Sequence, residues 1–268
     1  MKVRGKVALV TGAGRGIGRA LGREFMHRGA EGVAIGDLDG DLAAATAREL
    51  GGLGVQCDVS DAAAVRALVA ATVERFGRVD ILVSNAGLGV QALDLDDALS
   101  ESDSEWQRMW AVHVMAHVHA CRAVLPGMLE RGSGHLVSVA SAAGLLSQAG
   151  DTAYSVTKHG AVALAESLSI AYGDRGIGVS VVCPQYVATA MTGLDEATSA
   201  GAIPGVLTVE QAASAIADGI ERDDFLVLTH PEVLGYFQKK AADYGRWLAG
   251  MRRVRDGLRA GGFLKVKS

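Results

Sequence analysis

A doubly wound α/β domain built on a parallel sheet is the fold class this sequence predicts, and three observations predict it. Short β-rich runs alternate with longer helical patterns from end to end. Most of these runs are nearly continuous in apolar residues, the mark of strands covered on both faces. A glycine-rich turn follows the first run directly and opens the first helical pattern.

The expected strands are KVALVT (6–11), GVAIGD (32–37), GVQCDV (54–59), DILVSNA (80–86), GHLVSVA (134–140), GVSVVCP (178–184) and FLVLT (225–229). Helical patterns fill the gaps near 17–29, 41–50, 61–76, 104–130, 152–173 and 209–222. Such alternation implies βαβ crossovers. No linker, low-complexity tract or repeat interrupts it, so residues 1–268 read as one domain. The segment 190–207, rich in Gly, Ala and Ser, follows the sixth strand and is expected to be the loop over the substrate.

Near the C-terminus, Phe237, Ala241, Tyr244, Leu248, Met251, Val254 and Leu258 recur in steps of three and four, which predicts an amphipathic helix over about 232–259. Residues 238–268 hold nine Lys or Arg against two Asp, a local charge of +7. The preferred reading is a terminal helix docked on the domain or on a neighbouring subunit. A membrane-surface or acidic-partner role is the alternative.

Composition narrows the function classes. Hydrophobic residues make up 49% of the 268 and charged residues 21%, a globular balance. Gly is abundant (35) and Pro scarce (4), which fits many tight turns. A net charge of −4 argues against nucleic-acid binding by the whole protein. Cys57, Cys121 and Cys183 form no CxxC pair and are expected to be small buried side chains in a reducing compartment. The apolar run near the N-terminus is too short for a signal peptide, and stretches such as 111–129 carry Arg or His. A cytoplasmic protein without a transmembrane segment is the expectation.

The turn TGAGRGIG (11–18) places Gly12, Gly16 and Gly18 where the chain swings from strand into helix. A side chain there would hold the backbone away from a pyrophosphate, or spoil helix–strand packing. The following helix points its N-terminal N–H groups at the phosphates. Asp37, at the end of the second strand and 19 residues after Gly18, can accept hydrogen bonds from both adenosine ribose hydroxyls and would repel a 2′-phosphate. NAD is therefore expected ahead of NADP, with Arg15 the one residue of the turn that speaks for the phosphorylated cofactor.

Taken together, TGAGRGIG (11–18), SNAG (84–87), YSVTK (154–158) with Ser141 13 residues before Tyr154, and CPQYVAT (183–189) resemble the short-chain dehydrogenase/reductase family over about residues 5–230. Ser84 and Gln185 stand where that family usually has Asn and Gly. The resemblance implies a Rossmann-type seven-stranded sheet in the order 3-2-1-4-5-6-7 and a homodimer or homotetramer. It also implies a cofactor site of Gly12, Arg15, Gly16, Ile17, Gly18, Asp37, Leu38, Asp58, Val59, Asn85, Ala86, Gly87, Tyr154, Lys158, Pro184, Val187 and Thr189.

Oxidising an alcohol requires a base for the hydroxyl proton while hydride leaves for the nicotinamide. Tyr154 and Lys158 share one helix face, and an ammonium beside a phenol favours the phenolate. Ser141 can donate to the substrate oxygen as charge changes there. The expected function is thus interconversion of a small, rather apolar secondary alcohol and its ketone by NAD, with Ser141, Tyr154 and Lys158 catalytic. An NADP-dependent reductase or epimerase of the same fold, or a weakly catalytic nucleotide-binding regulator, are the alternatives.

The resemblance breaks at His113, which stands seven residues after Trp106, where the family commonly has an Asn that holds a water linking the lysine to solvent. Imidazole offers one donor and one acceptor and also titrates near neutrality. His113 is therefore expected either to replace that Asn in a titratable relay or to be a packed helix histidine. His113 and His117 have the spacing of two metal ligands, but no third ligand follows in pattern, so no metal is expected.

Overall fold

The computed structural model describes residues 1–89, 94–192 and 205–260. Seven parallel strands form its sheet: β1 (Val7–Thr11), β2 (Gly32–Asp37), β3 (Leu53–Gln56), β4 (Ile81–Ser84), β5 (Gly134–Val139), β6 (Ile177–Val182) and β9 (Leu226–Val227). They run in the order β3-β2-β1-β4-β5-β6-β9, the predicted 3-2-1-4-5-6-7 with β9 as seventh member. The chain reverses its direction of winding between β1 and β4, so a crevice opens there at the carboxyl ends of the strands.

Alternation along β1 shows how the sheet builds two cores. Ala8 and Val10 point to one face, where they meet α1 (Gly16–His27), α2 (Gly40–Leu50) and α8 (Val209–Arg222). Leu9 points to the other, toward α3 (Ala62–Phe76), α5 (Ala116–Glu130) and α7 (Thr152–Tyr172). All five β1 residues are buried, which is why the run reads as continuously apolar.

The helix expected over 104–130 is α4 (Asp103–Trp110), a π-helical turn (Ala111–Met115) and α5. Such turns are rare and gather at functional sites; this one carries His113. The short α6 (Ala143–Leu146) follows β5, and Tyr186–Val187 (β7) pairs with Val206–Leu207 (β8) in a separate two-stranded piece. Most of the expected substrate loop lies outside the described residues.

The helix expected over about 232–259 is two helices, α9 (Glu232–Ala242) and α10 (Tyr244–Arg259). The break is at Asp243, whose extended backbone (φ −153°, ψ 92°) leaves the helix and whose carboxylate caps α10 through Arg246 N–H. An Asp competes for backbone donors and favours caps over helix interiors, which the apolar periodicity conceals. Lys240 of α9 is buried and donates to Leu145 O at 2.6 Å, tying this end of the chain to α6. Among the described residues, no helix is long and apolar enough to cross a membrane.

Candidate active site

The glycine turn sits in the crevice. Gly12 has φ +62°, and a methyl group there would stand 2.6 Å from Ala86 Cα. At Gly18 it would stand 2.6 Å from Gly12 O, so the turn closes only with glycine. Asn85 ties the turn to the end of β4 by donating its amide hydrogens to Thr11 O and Gly12 O, both at 2.9 Å. Thr11 Oγ1 accepts the Asn85 and Ala86 N–H groups.

The N-terminus of α1 is built unlike most others here. α2, α3, α4, α7, α8 and α10 carry a side-chain cap on their first turn. α1 has none and no acidic residue in its first turn; its N-cap residue, Arg15, is exposed. Its leading N–H groups and positive dipole end are left for an anion from outside the chain. That arrangement fits a dinucleotide pyrophosphate.

Asp37 reaches the turn from the end of β2, where its carboxylate accepts Gly14 N–H at 2.8 Å and Asp39 N–H at 3.0 Å. Leu38 beside it is 66% exposed, an apolar surface at the crevice rim. Asp58 and Val59 lie just past β3; Asp58 is exposed and holds Ser60, and Val59 is buried. Thr189 approaches from the segment after β6, its methyl 3.7 Å from where a Cβ on Gly16 would lie. Pro184 O accepts Ala142 N–H at 2.7 Å, holding that segment to the one that carries Ser141. Val187 is buried in β7.

Ser141, Tyr154 and Lys158 converge at the carboxyl end of β5. Ser141 Oγ accepts Ala143 N–H at 3.1 Å, and its side chain lies close enough to the Tyr154 phenol to favour the phenolate. Lys158 is buried, donates to Val139 O at 3.2 Å, and has Nζ 5.6 Å from the Tyr154 ring centroid. Burial pushes the lysine down to about 8. Burial also raises Tyr154 above the usual phenol range; Ser141 pulls it back, and Asp151 and Cys183 add to the rise. Lys158 Nζ stands near the Tyr154 ring, and desolvation of the phenolate is the largest influence on the phenol.

His113 is buried, and both ring nitrogens are engaged. Nε2 lies 2.9 Å from Leu88 N, whose N–H points to it, and 3.1 Å from Leu88 O, and Nδ1 lies 2.9 Å from Thr157 Oγ1. Thr157 Oγ1 passes the chain on to Ala153 O at 2.8 Å. The ring meets Tyr154 edge-on, with centroids 5.5 Å apart. A methyl on Gly87 would touch both Lys158 Nζ (3.6 Å) and His113 Nε2 (3.7 Å). Burial and the Lys158 charge hold His113 down to about 2. A titratable relay through this ring is thus not what the geometry supports: it has no spare nitrogen for a water and stays neutral. Its contacts tie the chain after β4 to the helix of Tyr154.

His117 is also buried and neutral, with Nδ1 3.3 Å from Ser138 Oγ. Among the described residues, no three His, Cys, Asp or Glu side chains gather as metal ligands would. The three cysteines are buried and free, and burial pushes Cys183 up to about 12.

Three residues of this region were not singled out from the sequence. Glu101, before α4, accepts Thr152 N–H (3.1 Å) and Ala153 N–H (3.4 Å) at the start of α7. Asp151 caps the same helix through Tyr154 N–H at 3.0 Å. Buried His230 accepts Gln185 N–H at Nδ1 and donates from Nε2 to Tyr186 O and Gly205 O, pinning both sides of the segment after β6. Asp151 had a signal, an Asp just before a helical pattern. The other two act across long stretches of chain and left none.

A family model described as short chain dehydrogenase matches residues 6–199. The oxidoreductase UcpA of Salmonella typhimurium is 34% identical over 266 residues, covering 96% of this chain and 95% of that protein. A D-threitol dehydrogenase of Mycolicibacterium smegmatis is 39% identical over 193 residues, 70% of this chain and 72% of its own length. Among solved structures, a short chain dehydrogenase/reductase from Burkholderia phymatum in complex with NAD superposes with a TM-score of 0.81. That match has 31% identity and covers 91% of this chain and 96% of the other.

Proposed function

Because this chain belongs to the short-chain dehydrogenase/reductase family, an NAD(P)-dependent oxidoreductase family acting on CH–OH groups, we propose that it interconverts a small secondary alcohol and its ketone with NAD(H), using Tyr154 as the acid/base. The observation that carries this reading is the convergence of Ser141, Tyr154 and buried Lys158 beside a glycine turn whose helix lacks its own cap.

In this reading Gly12 to Gly18 and the first turn of α1 hold the pyrophosphate, and Asp37 takes the adenosine ribose. Lys158 holds the nicotinamide ribose, and the segment of Val187 and Thr189 holds the carboxamide. The cofactor, when bound, supplies the hydride acceptor or donor. Ser141 donates to the substrate oxygen. In reduction Tyr154 delivers the proton to that oxygen; in oxidation its phenolate removes it. Burial keeps Tyr154 protonated at neutral pH, so ketone reduction is ready there, and alcohol oxidation accelerates as pH rises. Segment 190–207 contains no Lys or Arg, which supports an uncharged substrate.

Asp37 supports NAD over NADP, since its negative charge stands against the turn where a 2′-phosphate would come. Exposed Arg15 favours the second reading, a phosphorylated cofactor. Fluorescence titration with NADH and NADPH, then turnover of a panel of neutral and anionic alcohols, tests both. Equal affinity for the two cofactors overturns the role given to Asp37, and preference for anionic alcohols overturns the substrate class.

A further inference from the structure

We propose that Asp151 is a positioning residue whose negative charge sets the pH at which Tyr154 exchanges its proton. This rests on the reading of Tyr154 as acid/base.

Two carboxylates grip the start of the helix that carries Tyr154 and Lys158. Glu101 takes the Thr152 and Ala153 N–H groups, and Asp151 Oδ1 takes the Tyr154 N–H. Capping alone asks for neither a charge nor deep burial, because Asn and Ser cap about as well as Asp. Yet Asp151 is fully buried, and its Oδ2 has no hydrogen-bond partner. A bare carboxylate oxygen out of water is costly. The charge is thus held, at a cost in stability, on the backbone N–H of Tyr154 itself, at the cap of the helix that carries the phenol.

The groups around it all bear on the same proton. Glu101, from the segment before α4, repels Asp151 and adds to the effect of burial. The carboxyl is pushed up to about 6, with the Tyr154 N–H as the opposing influence. Around Tyr154 also stand Ser141 from the end of β5, Cys183 just past β6, Lys158 one turn along α7, and neutral His113. The Asp151 charge raises Tyr154, as does Cys183, against the pull of Ser141. When Asp151 takes a proton, that push disappears.

The test is a pH titration of the Tyr154 phenolate by near-ultraviolet difference absorbance. Each of wild type, Asp151→Asn and Glu101→Gln is compared with its own Tyr154→Phe counterpart, and melting temperatures are measured in parallel. Asp151→Asn keeps the cap, so it is expected to fold, to melt higher than wild type at neutral pH, and to move the Tyr154 transition down by about half a pH unit or more. Glu101→Gln is expected to move it the same way by less. A purely structural cap predicts an unmoved transition in the Asn variant and a lower melting temperature in Asp151→Ala. An Asp151→Asn transition at the wild-type position overturns the proposal. The titration does not require turnover, so this failure is distinct from a failure of Tyr154 as acid/base, which active Tyr154→Phe enzyme would reveal.

Discussion

Replacing His113 by Leu separates a neutral structural imidazole from a titrating one. The Leu side chain fills much of the ring's volume but accepts nothing from Leu88 N–H and makes no hydrogen bond to Thr157. Thr157 keeps its bond to Ala153 O, whereas the Leu88 N–H is left unpaired in a partly buried place. Such a loss costs about 1–3 kcal/mol. In a chain of this size that lowers the melting temperature by roughly 2–4 °C per kcal/mol.

The pH dependence is the sharper measurement. His113 has an ordinary value of 6.5 and a folded value of about 2. The unfolded chain therefore binds a proton that the folded one refuses. Its contribution is fully present above about pH 6.5 and is lost as pH falls. Linkage puts that loss at about 2 kcal/mol between pH 7 and pH 5 for one such histidine. Wild type bears this loss and His113→Leu does not. The stability gap between them should therefore shrink by about 2 kcal/mol on going from pH 7 to pH 5, in urea unfolding followed by circular dichroism. The pH–rate profiles of wild type, His113→Asn and His113→Leu should share one shape across this range, differing only in height. A constant stability gap, or an acid limb present in wild type and absent from both variants, would refute the neutral, structural imidazole.

Other expected outcomes follow from the same geometry. Tyr154→Phe should lower kcat by about a thousandfold or more while leaving the NADH dissociation constant within a few-fold, as stopped-flow turnover and fluorescence titration would show. Lys158→Met should impair both, because the ammonium serves ribose and phenol together. Asp37→Ser should raise the ratio of NADP to NAD efficiency by tenfold or more, read as kcat/KM for each cofactor; an unchanged ratio removes Asp37 from cofactor choice. The exposed apolar side chains of Trp110 on α4 and Val156 and Ile170 on α7 suit a subunit interface formed by these helices. Wild type is then expected to sediment above the monomer mass and Ile170→Arg at it; a wild type at the monomer mass, or a variant of unaltered mass, overturns this expectation.

Much of this fold was legible because parallel strands buried on both faces leave continuous apolar runs; β2 and α8 begin and end where those patterns do. The glycine turn and Tyr154 with Lys158 were legible because short-range spacing encodes them. What escaped the sequence has local or long-range causes. The break at Asp243 depends on one side chain choosing a cap over a helix interior. The π turn at 111–115 lies inside one continuous helical run, between α4 and α5, and leaves no compositional trace. The burial of Tyr154 depends on segments far apart in sequence, which spacing along one helix cannot show. His230 holds Tyr186 and Gly205 from 44 and 25 residues away.

The uncapped start of α1 has a thermodynamic consequence. A helix whose first N–H groups await an external anion is less than fully assembled without one, and its stability becomes a function of ligand concentration. A dinucleotide present at a hundred times its dissociation constant adds about 2.7 kcal/mol to a folded state that alone can bind it. The amides of Gly16, Ile17 and Gly18 should then exchange with deuterium fast in the bare protein and slowly once the cofactor is held. Where the chain is made faster than dinucleotide is supplied, the first turn of α1 is expected to be an early place of opening to proteases, so limited proteolysis should slow when the cofactor is added.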